Sequence, residues 1–451
     1  MTQRKIRLGA FIPGAGQHVA SWRHPKSVAD GSVNLDHYID MVRTAERGKF
    51  DAMFFADGLA ANFGGSSKGV SEKVVGFEPL TLFSALSMIT DNIGFIATAS
   101  TTYEEPYNLA RKFASLDLIS KGRAAWNLVT SASNGTARNF NLSEQVAHAQ
   151  RYARAEEFVD VTKKLWDSWE QDAFERDKEI GLFFDPRKVH PPRHQGKYFR
   201  VEGALNAPRS PQGHPVIVQA GQSEPGKEIA ARTSEVVFTA QQNIEDAKAF
   251  YKDLKRRLAK YGRSADELLI MPGVTFFVGE THEEAQQHYD DLKALIHPDA
   301  GLALLTALSG GDVDLSSYPL DDPFPELPKT EGIVSRQAMM VDIAKRHNFS
   351  IRQLYEWIAG ARGHYSVIGT PSEIADELQY WFENEAADGF NILPPVLPFD
   401  LNRFVDLVIP ELQKRGIYRT EYEGKTLREN LGLKIPESRF HKTQKVELLS
   451  A

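Results

Sequence analysis

Asn127 stands inside an otherwise apolar run, Ala125-Trp-Asn-Leu-Val-Thr-Ser131. On a period-2 strand Ala125, Asn127, Val129 and Ser131 share one face, and Trp126, Leu128 and Thr130 the other. A buried carboxamide without partners costs about 1–3 kcal/mol, so Asn127 calls for a polar ligand or a polar neighbour. A second stretch, Val216-Ile-Val-Gln-Ala-Gly221-Gln-Ser223-Glu-Pro-Gly226-Lys227, reads as a strand, a small residue and a helix start. Backbone N–H groups at a helix start, with the Ser223 hydroxyl beside them, suit a phosphate. An ordinary strand-to-helix turn capped by Ser223 accounts for the same residues, and locally both readings stay open. His148 and Tyr152 lie just ahead of a helix expected over 155–169. If helical themselves, they share one face; a solvated charged face is the competing reading.

Other patterns fail on spacing. Gly14-Ala-Gly16-Gln-His-Val19 opens like a dinucleotide fingerprint, but Val19 takes the third glycine's place and a polar, proline-containing loop follows. Gly64-Gly-Ser-Ser-Lys68 lacks Walker A spacing and reads as a mobile loop. His190 and His194 are separated by Pro191 and Pro192, which deny them a helical geometry. The absence of cysteine excludes disulfides, thiolate catalysis, zinc–thiolate sites and iron–sulfur clusters, and fits the cytoplasm. A net charge of −7 argues against nucleic acid or an anionic membrane as partner. No apolar run is long enough to span a bilayer, and no signal-peptide core follows the basic N-terminus.

Short apolar runs alternate with helix-like segments along the 451 residues. Strands are expected over 6–12, 52–57, 93–102, 124–131, 216–220, 235–240, 268–278 and 390–393, each suited to a parallel sheet covered on both faces. Amphipathic helices over 35–47, 244–261 and 402–415, the last interrupted by Pro410, lie between or after them. Eight such units predict an α/β fold, a (β/α)8 TIM barrel. The surplus length belongs to insertions near 132–155, 170–212 and 297–350, with smaller ones at 13–34 and 58–77, in one elaborated domain spanning 1–451. Residues 417–451 form a C-terminal strap, because Tyr418, Tyr422, Leu427, Leu431 and Leu433 are too apolar for a loose end; 437–451 are expected to be loosely held. Reacting groups in such barrels sit at strand C-termini. Here these are Asp57, Thr101 and Thr102, Thr130 and Ser131, Ala220 and Gly221, and Ala240. One carboxylate among them excludes a paired-carboxylate glycosidase and a His/Asp metal hydrolase. Hydroxyls and small residues favour a phosphate-bearing cofactor.

Several stretches, in order, carry a resemblance: Glu46-Arg-Gly-Lys-Phe-Asp-Ala-Met-Phe-Phe-Ala-Asp57-Gly, Arg123-Ala-Ala-Trp-Asn127-Leu-Val-Thr-Ser, Ala137-Arg-Asn-Phe140, Arg151-Tyr152, Ser210-Pro-Gln-Gly213, Gln219-Ala-Gly-Gln-Ser223, Ala386-Ala-Asp-Gly-Phe390 and Arg419-Thr-Glu-Tyr422. With them the chain resembles the flavin-dependent monooxygenases of the bacterial luciferase-like superfamily, in the group of nitrilotriacetate and dibenzothiophene-sulfone monooxygenases. The resemblance implies a barrel that binds reduced FMN, where O2 attacks the flavin C4a and the peroxide oxidises a small organic substrate. It implies FMN contacts from Asp57, Thr102, Asn127, His148, Tyr152 and Ser223, with Gly221 in the same turn. Reduced FMN then comes from a separate NAD(P)H:flavin reductase, since no nicotinamide motif is visible. His18, after the first strand, and His297, at the start of the long insertion, are candidates for a hydrogen bond to peroxide or substrate. A homodimer or homotetramer is the expected assembly. Two other readings are a deazaflavin-dependent oxidoreductase of the same superfamily and a non-catalytic flavin-binding barrel.

Overall fold

The computed structural model describes residues 4–61, 69–70, 74–131, 133–309, 313–328 and 334–440; the glycine-rich loop at 64–68 and the end of the tail lie outside them. Eight strands form the barrel: β1 (Arg7–Phe11), β2 (Ala52–Phe55), β3 (Gly94–Ser100), β4 (Ala124–Val129), β5 (Val216–Gln219), β6 (Val236–Thr239), β7 (Leu269–Val278) and β8 (Gly389–Leu393). All pair in parallel in chain order, β8 pairs with β1, and pairing of β6 with the first half of β7 closes the ring. The expected (β/α)8 barrel is present, with all eight strands where the apolar runs fall.

The second half of β7 carries an extra parallel strand, Tyr365–Gly369. The sequence does not announce that strand, because it follows a long insertion and is only half-buried. The expected 402–415 helix runs over 399–414 with a π-turn at Phe404–Val408, just ahead of Pro410. A wider turn there lets the chain absorb a residue that lacks an N–H and crowds the preceding turn.

Side-chain alternation sorts the core into two layers. Phe54, Ile96, Ala125, Val218 and Phe238 pack inside the barrel. Phe95 and Trp126 face outward, and Trp126 meets Phe113, Phe158 and Trp166 with ring centroids 5.9, 5.8 and 6.4 Å away. A third cluster, built on Leu304, Leu305, Met340, Ile343, Leu354 and Ile358, belongs to the insertion helices Pro298–Leu308, Val334–His347 and Ile351–Ala361. Gln242, just past β6, donates to the Gly363 carbonyl, which fastens this insertion over the strand C-termini.

The opposite end of the barrel is closed by the residues after 416. Leu427, Leu431 and Leu433 join the inner cluster, and a Cβ on Gly94 would come 2.6 Å from Leu427. Arg419 and Asp51, each 1% exposed, form an ion pair at 2.6 Å. The second oxygen of Asp51 accepts from the Leu8 N–H at 2.7 Å. Arg428 bonds the Glu235 carboxylate at 3.0 Å and the His214 carbonyl at 3.1 Å. Tyr422 donates to the Phe50 carbonyl at 2.8 Å. Breaking a buried pair strands the remaining charge. Arg419→Leu should therefore destabilise the protein by about 3–5 kcal/mol, with part of the loss recovered in Asp51→Asn/Arg419→Leu. Thermal unfolding checks this, and a wild-type midpoint in the single variant would mean the pair does not secure the tail.

Candidate active site

At the C-terminal mouth the ends of β4, β5 and β6 surround a cavity of about 270 Å³. The start of helix His148–Trp166, the start of helix Glu224–Thr233, and Arg336 and His364 of the insertion complete its wall. Past β4 the chain turns at Ser131 in the left-handed region, φ +42°. Such backbone costs about 1–3 kcal/mol in a residue with a side chain. Here it is held in place: the Ser131 carbonyl accepts from Gln145 Nε2 at 3.1 Å and from Arg151 Nη1, and its Oγ donates to Ser100 Oγ at 2.8 Å.

A short helix, Asn134–Asn139, follows this turn, and the next helix starts at His148, ahead of the expected 155, so His148 and Tyr152 do share a face, with ring centroids 4.8 Å apart. Both line the cavity. Across from them Ser223 caps helix Glu224–Thr233, its Oγ accepting from the Gly226 N–H at 3.3 Å. A hydroxyl that accepts as a cap keeps its hydrogen to donate, so the capping and the ligand-binding readings of this turn are compatible. Gly221 leaves the floor open. A Cβ there would lie 2.3 Å from Gln219 Nε2 and 3.2 Å from Tyr152 Oη. Gln222 ties β5 to β6 by donating to the Ala240 carbonyl at 2.9 Å.

Asn127 sits one residue before the lining Leu128, 3% exposed. The register sets it between Thr98 of β3 and Val218 of β5. Its Nδ2 donates to Thr98 Oγ1 at 2.9 Å, and Thr98 donates onward to the Phe55 carbonyl at 2.8 Å. Its Oδ1 is buried with no hydrogen-bond partner among the described residues, and so is Oε1 of Gln219, which lines the cavity. Native structures leave few such groups, and each needs an explanation.

Other candidates fall outside the lining. Thr102 is half-buried and donates to the Thr130 carbonyl at 2.6 Å, while Thr101 is fully buried. Asp57 follows β2; its Oδ1 accepts from the Gly58 N–H at 2.8 Å, and burial raises its pKa above the usual carboxylate range. His18 is 1% exposed, its Nδ1 accepting from the Ala20 N–H at 3.1 Å and its backbone N–H bonding the Pro395 carbonyl at 3.2 Å. His297 caps helix Pro298–Leu308, accepting from the Asp299 N–H at 3.2 Å, with its side chain 45% exposed. The proline after it makes His297 a helix cap at the surface, away from the cavity wall. Gly16, at φ +140°, serves packing: a Cβ would sit 2.2 Å from the Pro395 carbonyl oxygen. His190 and His194 pair with different acids, Glu170 at 2.7 Å and Glu157 at 3.0 Å. Among the described residues no group of three or more His, Cys, Asp or Glu is placed to hold a metal, and no helix is long and apolar enough to cross a membrane.

Sequence reasoning missed Arg336 and His364. Arg336 comes from the segment 297–350, read only as an insertion, and His364 from the unassigned stretch after it; no pattern in either announced a return to the mouth. His364 stacks on Phe238 at 5.0 Å with an interplanar angle of 6°. Burial, and then the neighbouring Arg336 charge, hold its pKa well below the ordinary histidine value. The neutral ring presents Nε2 to Arg336 Nη2 at 3.1 Å. Among the described residues that line the cavity there are two arginines, two histidines and no carboxylate.

Fold and site together define a (β/α)8-barrel enzyme with a positively charged cavity at its C-terminal mouth. Residues 16–388 match the family described as luciferase-like monooxygenase, and the chain belongs to that family of oxidoreductases. It is 50% identical over 446 residues to N-acetyl-S-(2-succino)cysteine monooxygenase of Bacillus subtilis (strain 168), covering 98% of this chain and 100% of the relative. It is 50% identical over 444 residues to nitrilotriacetate monooxygenase component A of Aminobacter aminovorans, covering 96% and 98%. A crystal structure of riboflavin lyase with modified FMN and riboflavin superposes with a TM-score of 0.85 at 32% identity, covering 97% of this chain and 98% of that one.

His364 also yields a pH test. Its folded pKa is depressed, so below the unfolded value of 6.5 the unfolded chain binds more protons. The stabilisation is complete above that value and is lost as the pH falls toward the folded pKa. His364→Gln should therefore flatten part of the fall in thermal midpoint on acidification below pH 6.5. An unchanged slope would contradict a neutral His364.

Proposed function

We propose that the chain is the oxygenase component of a two-component monooxygenase that uses reduced FMN and O2 to oxidise a small organic substrate. One observation carries this reading: the cavity wall offers something to both ends of FMN. The helix start at Ser223, with the open floor at Gly221, Tyr152, His148 and Arg151 around it, suits the phosphate. The orphaned carboxamide oxygens of Gln219, in the wall, and of Asn127, one residue below the lining Leu128, suit the polar edge of the isoalloxazine, whose N–H groups can satisfy them. Neither oxygen has a described protein partner, so a ligand donor relieves a cost the fold otherwise bears. The similar riboflavin lyase structure, which holds a modified FMN, supports the same fit.

When bound, reduced flavin supplies the oxygen-activating chemistry that no side chain here supplies. The protein's part is to bind, orient and exclude water. Ser223, whose oxygen caps the helix, would donate its hydroxyl hydrogen to the phosphate. Asn127 is held in one rotamer by Thr98, so its oxygen stays aimed. The insertion over the mouth keeps bulk water from the reacting atoms. Electrons come from a separate NAD(P)H:flavin reductase, a division that the words "component A" in one relative's name support. The relatives' names include tricarboxylate and succinyl compounds on one side and the uncharged riboflavin on the other. This reading also takes the working form to be a cytoplasmic homodimer or homotetramer, and light scattering of the purified protein tests the assembly.

Two titrations probe the FMN ends. Ser223→Ala and Tyr152→Phe should each weaken reduced-FMN binding by about 1–3 kcal/mol, the scale of a charge-assisted hydrogen bond. Unchanged affinity in both would remove them from the phosphate site. Asn127→Leu should keep the fold and lose flavin binding, as read by thermal melting and anaerobic titration. A variant that melts early yet binds flavin normally when folded would make Asn127 a structural residue.

A further inference from the structure

The two arginines of the cavity lining stand on different elements and are held in different ways. Arg151, His148 and Tyr152 belong to helix His148–Trp166 and face the helix start at Ser223. Arg336 stands on a different element, helix Val334–His347, beside His364. Its Nη1 donates to the Arg362 carbonyl at 2.9 Å and its Nη2 meets His364 Nε2 at 3.1 Å. Both partners are uncharged: one is a backbone carbonyl and the other an imidazole kept neutral by burial. A guanidinium has five N–H donors, and these contacts use two. Gly363, at φ +82°, lets the guanidinium lie on the turn, since a Cβ there would come 2.8 Å from Nη1.

Three other buried arginines have an acid beside them, and a fourth is enclosed by oxygens. Arg419 has Asp51, Arg428 has Glu235 and Arg209 has Asp167. Arg123, without an ion pair among the described residues, is enclosed by the oxygens of Ser87, Thr90, Ile93 and Ser120. Arg336 has neither arrangement among the described residues. Burial lowers its pKa to about 10, which still leaves it protonated at neutral pH. A half-buried charge without a counter-ion is costly, and an anion entering the cavity would relieve that cost.

We propose that Arg336, positioned by His364 and the Arg362 carbonyl, recognises a carboxylate of the substrate, so that the enzyme acts on small carboxylates. This rests on the monooxygenase reading and deepens it. The planar guanidinium matches a carboxylate with two parallel hydrogen bonds. His364 accepts from one N–H of the fork and is neutral, so it fixes the orientation of the guanidinium without cancelling its charge.

The test uses the FMN-loaded full chain and two probes, nitrilotriacetate and N-acetyl-S-(2-succino)cysteine, by titration calorimetry. Wild type should bind at least one. Arg336→Gln should weaken that binding about 10- to 100-fold, the loss of a charge-assisted pair. Arg336→Lys, which keeps the charge without the fork, should fall between. FMN affinity should be unchanged in both variants. No binding of either probe by wild type, or equal binding by Arg336→Gln, overturns the proposal. A parallel loss of FMN affinity also overturns it, by assigning Arg336 to the phosphate. Turnover with reduced FMN and O2 is measured separately on wild type. Bound probe without oxygenated product would fail the monooxygenase reading while leaving Arg336 as a carboxylate site.

Discussion

Closure of the parallel sheet is the constraint on which the rest depends. Once β6 pairs with the first half of β7, all eight strands end at the same mouth. Residues far apart in the chain, Ser131, His148, Gln219, Ser223 and His364, then converge there. Parallel pairing also means that every strand begins at the other end, where the inner side chains need a cover. Leu427, Leu431 and Leu433 provide it. The residues after 416 thus serve the same closure from below that the insertion serves from above.

The two ends treat charged groups in opposite ways. At the strand starts charges are matched: Asp51 with Arg419, Glu235 with Arg428 and Asp167 with Arg209, while His214 adds a hydrogen bond to Asp167. The Asp167 carboxyl is held well below the usual carboxylate range because His214 and Arg209 outweigh its burial. At the strand ends matching stops. Asn127 and Gln219 each keep an unsatisfied oxygen, Ser131 holds a strained turn, and Arg336 lacks a described acid. Ion pairs are concentrated where nothing binds, whereas unmet hydrogen-bonding capacity occurs at both ends, since Asp117 Oδ2, Arg419 Nε and Asn430 Nδ2 are also buried without a partner among the described residues.

Glycine contributes at two of these places for different reasons. Gly94 makes room for Leu427 under the barrel, and Gly221 makes room beside Tyr152 at the mouth. The first is a packing requirement, the second a ligand requirement. A sequence shows both as a small residue at a strand boundary, and only their neighbours tell them apart.

The sequence by itself determined the local periodicities. Eight short apolar runs, the alternation that points Asn127 inward with Ala125, and the Ser223 cap all depend on residues within a few positions of each other. Those features follow from backbone geometry, so they were legible without neighbours. What depended on long-range packing was not. The first turn of the helix at His148 is tied to the distant Ser131 carbonyl through Arg151, and the Tyr365–Gly369 strand pairs with the part of β7 that outruns β6. His297 became a cap because Pro298 opens a helix beside it, and His18 was buried by the segment after β8. Arg336 reached the mouth only because the insertion folds back over it. Whether a polar residue is satisfied or left waiting for a ligand depends on which distant groups surround it. Tertiary structure alone decides that, since the hydrogen bond in question is made or withheld across the whole barrel.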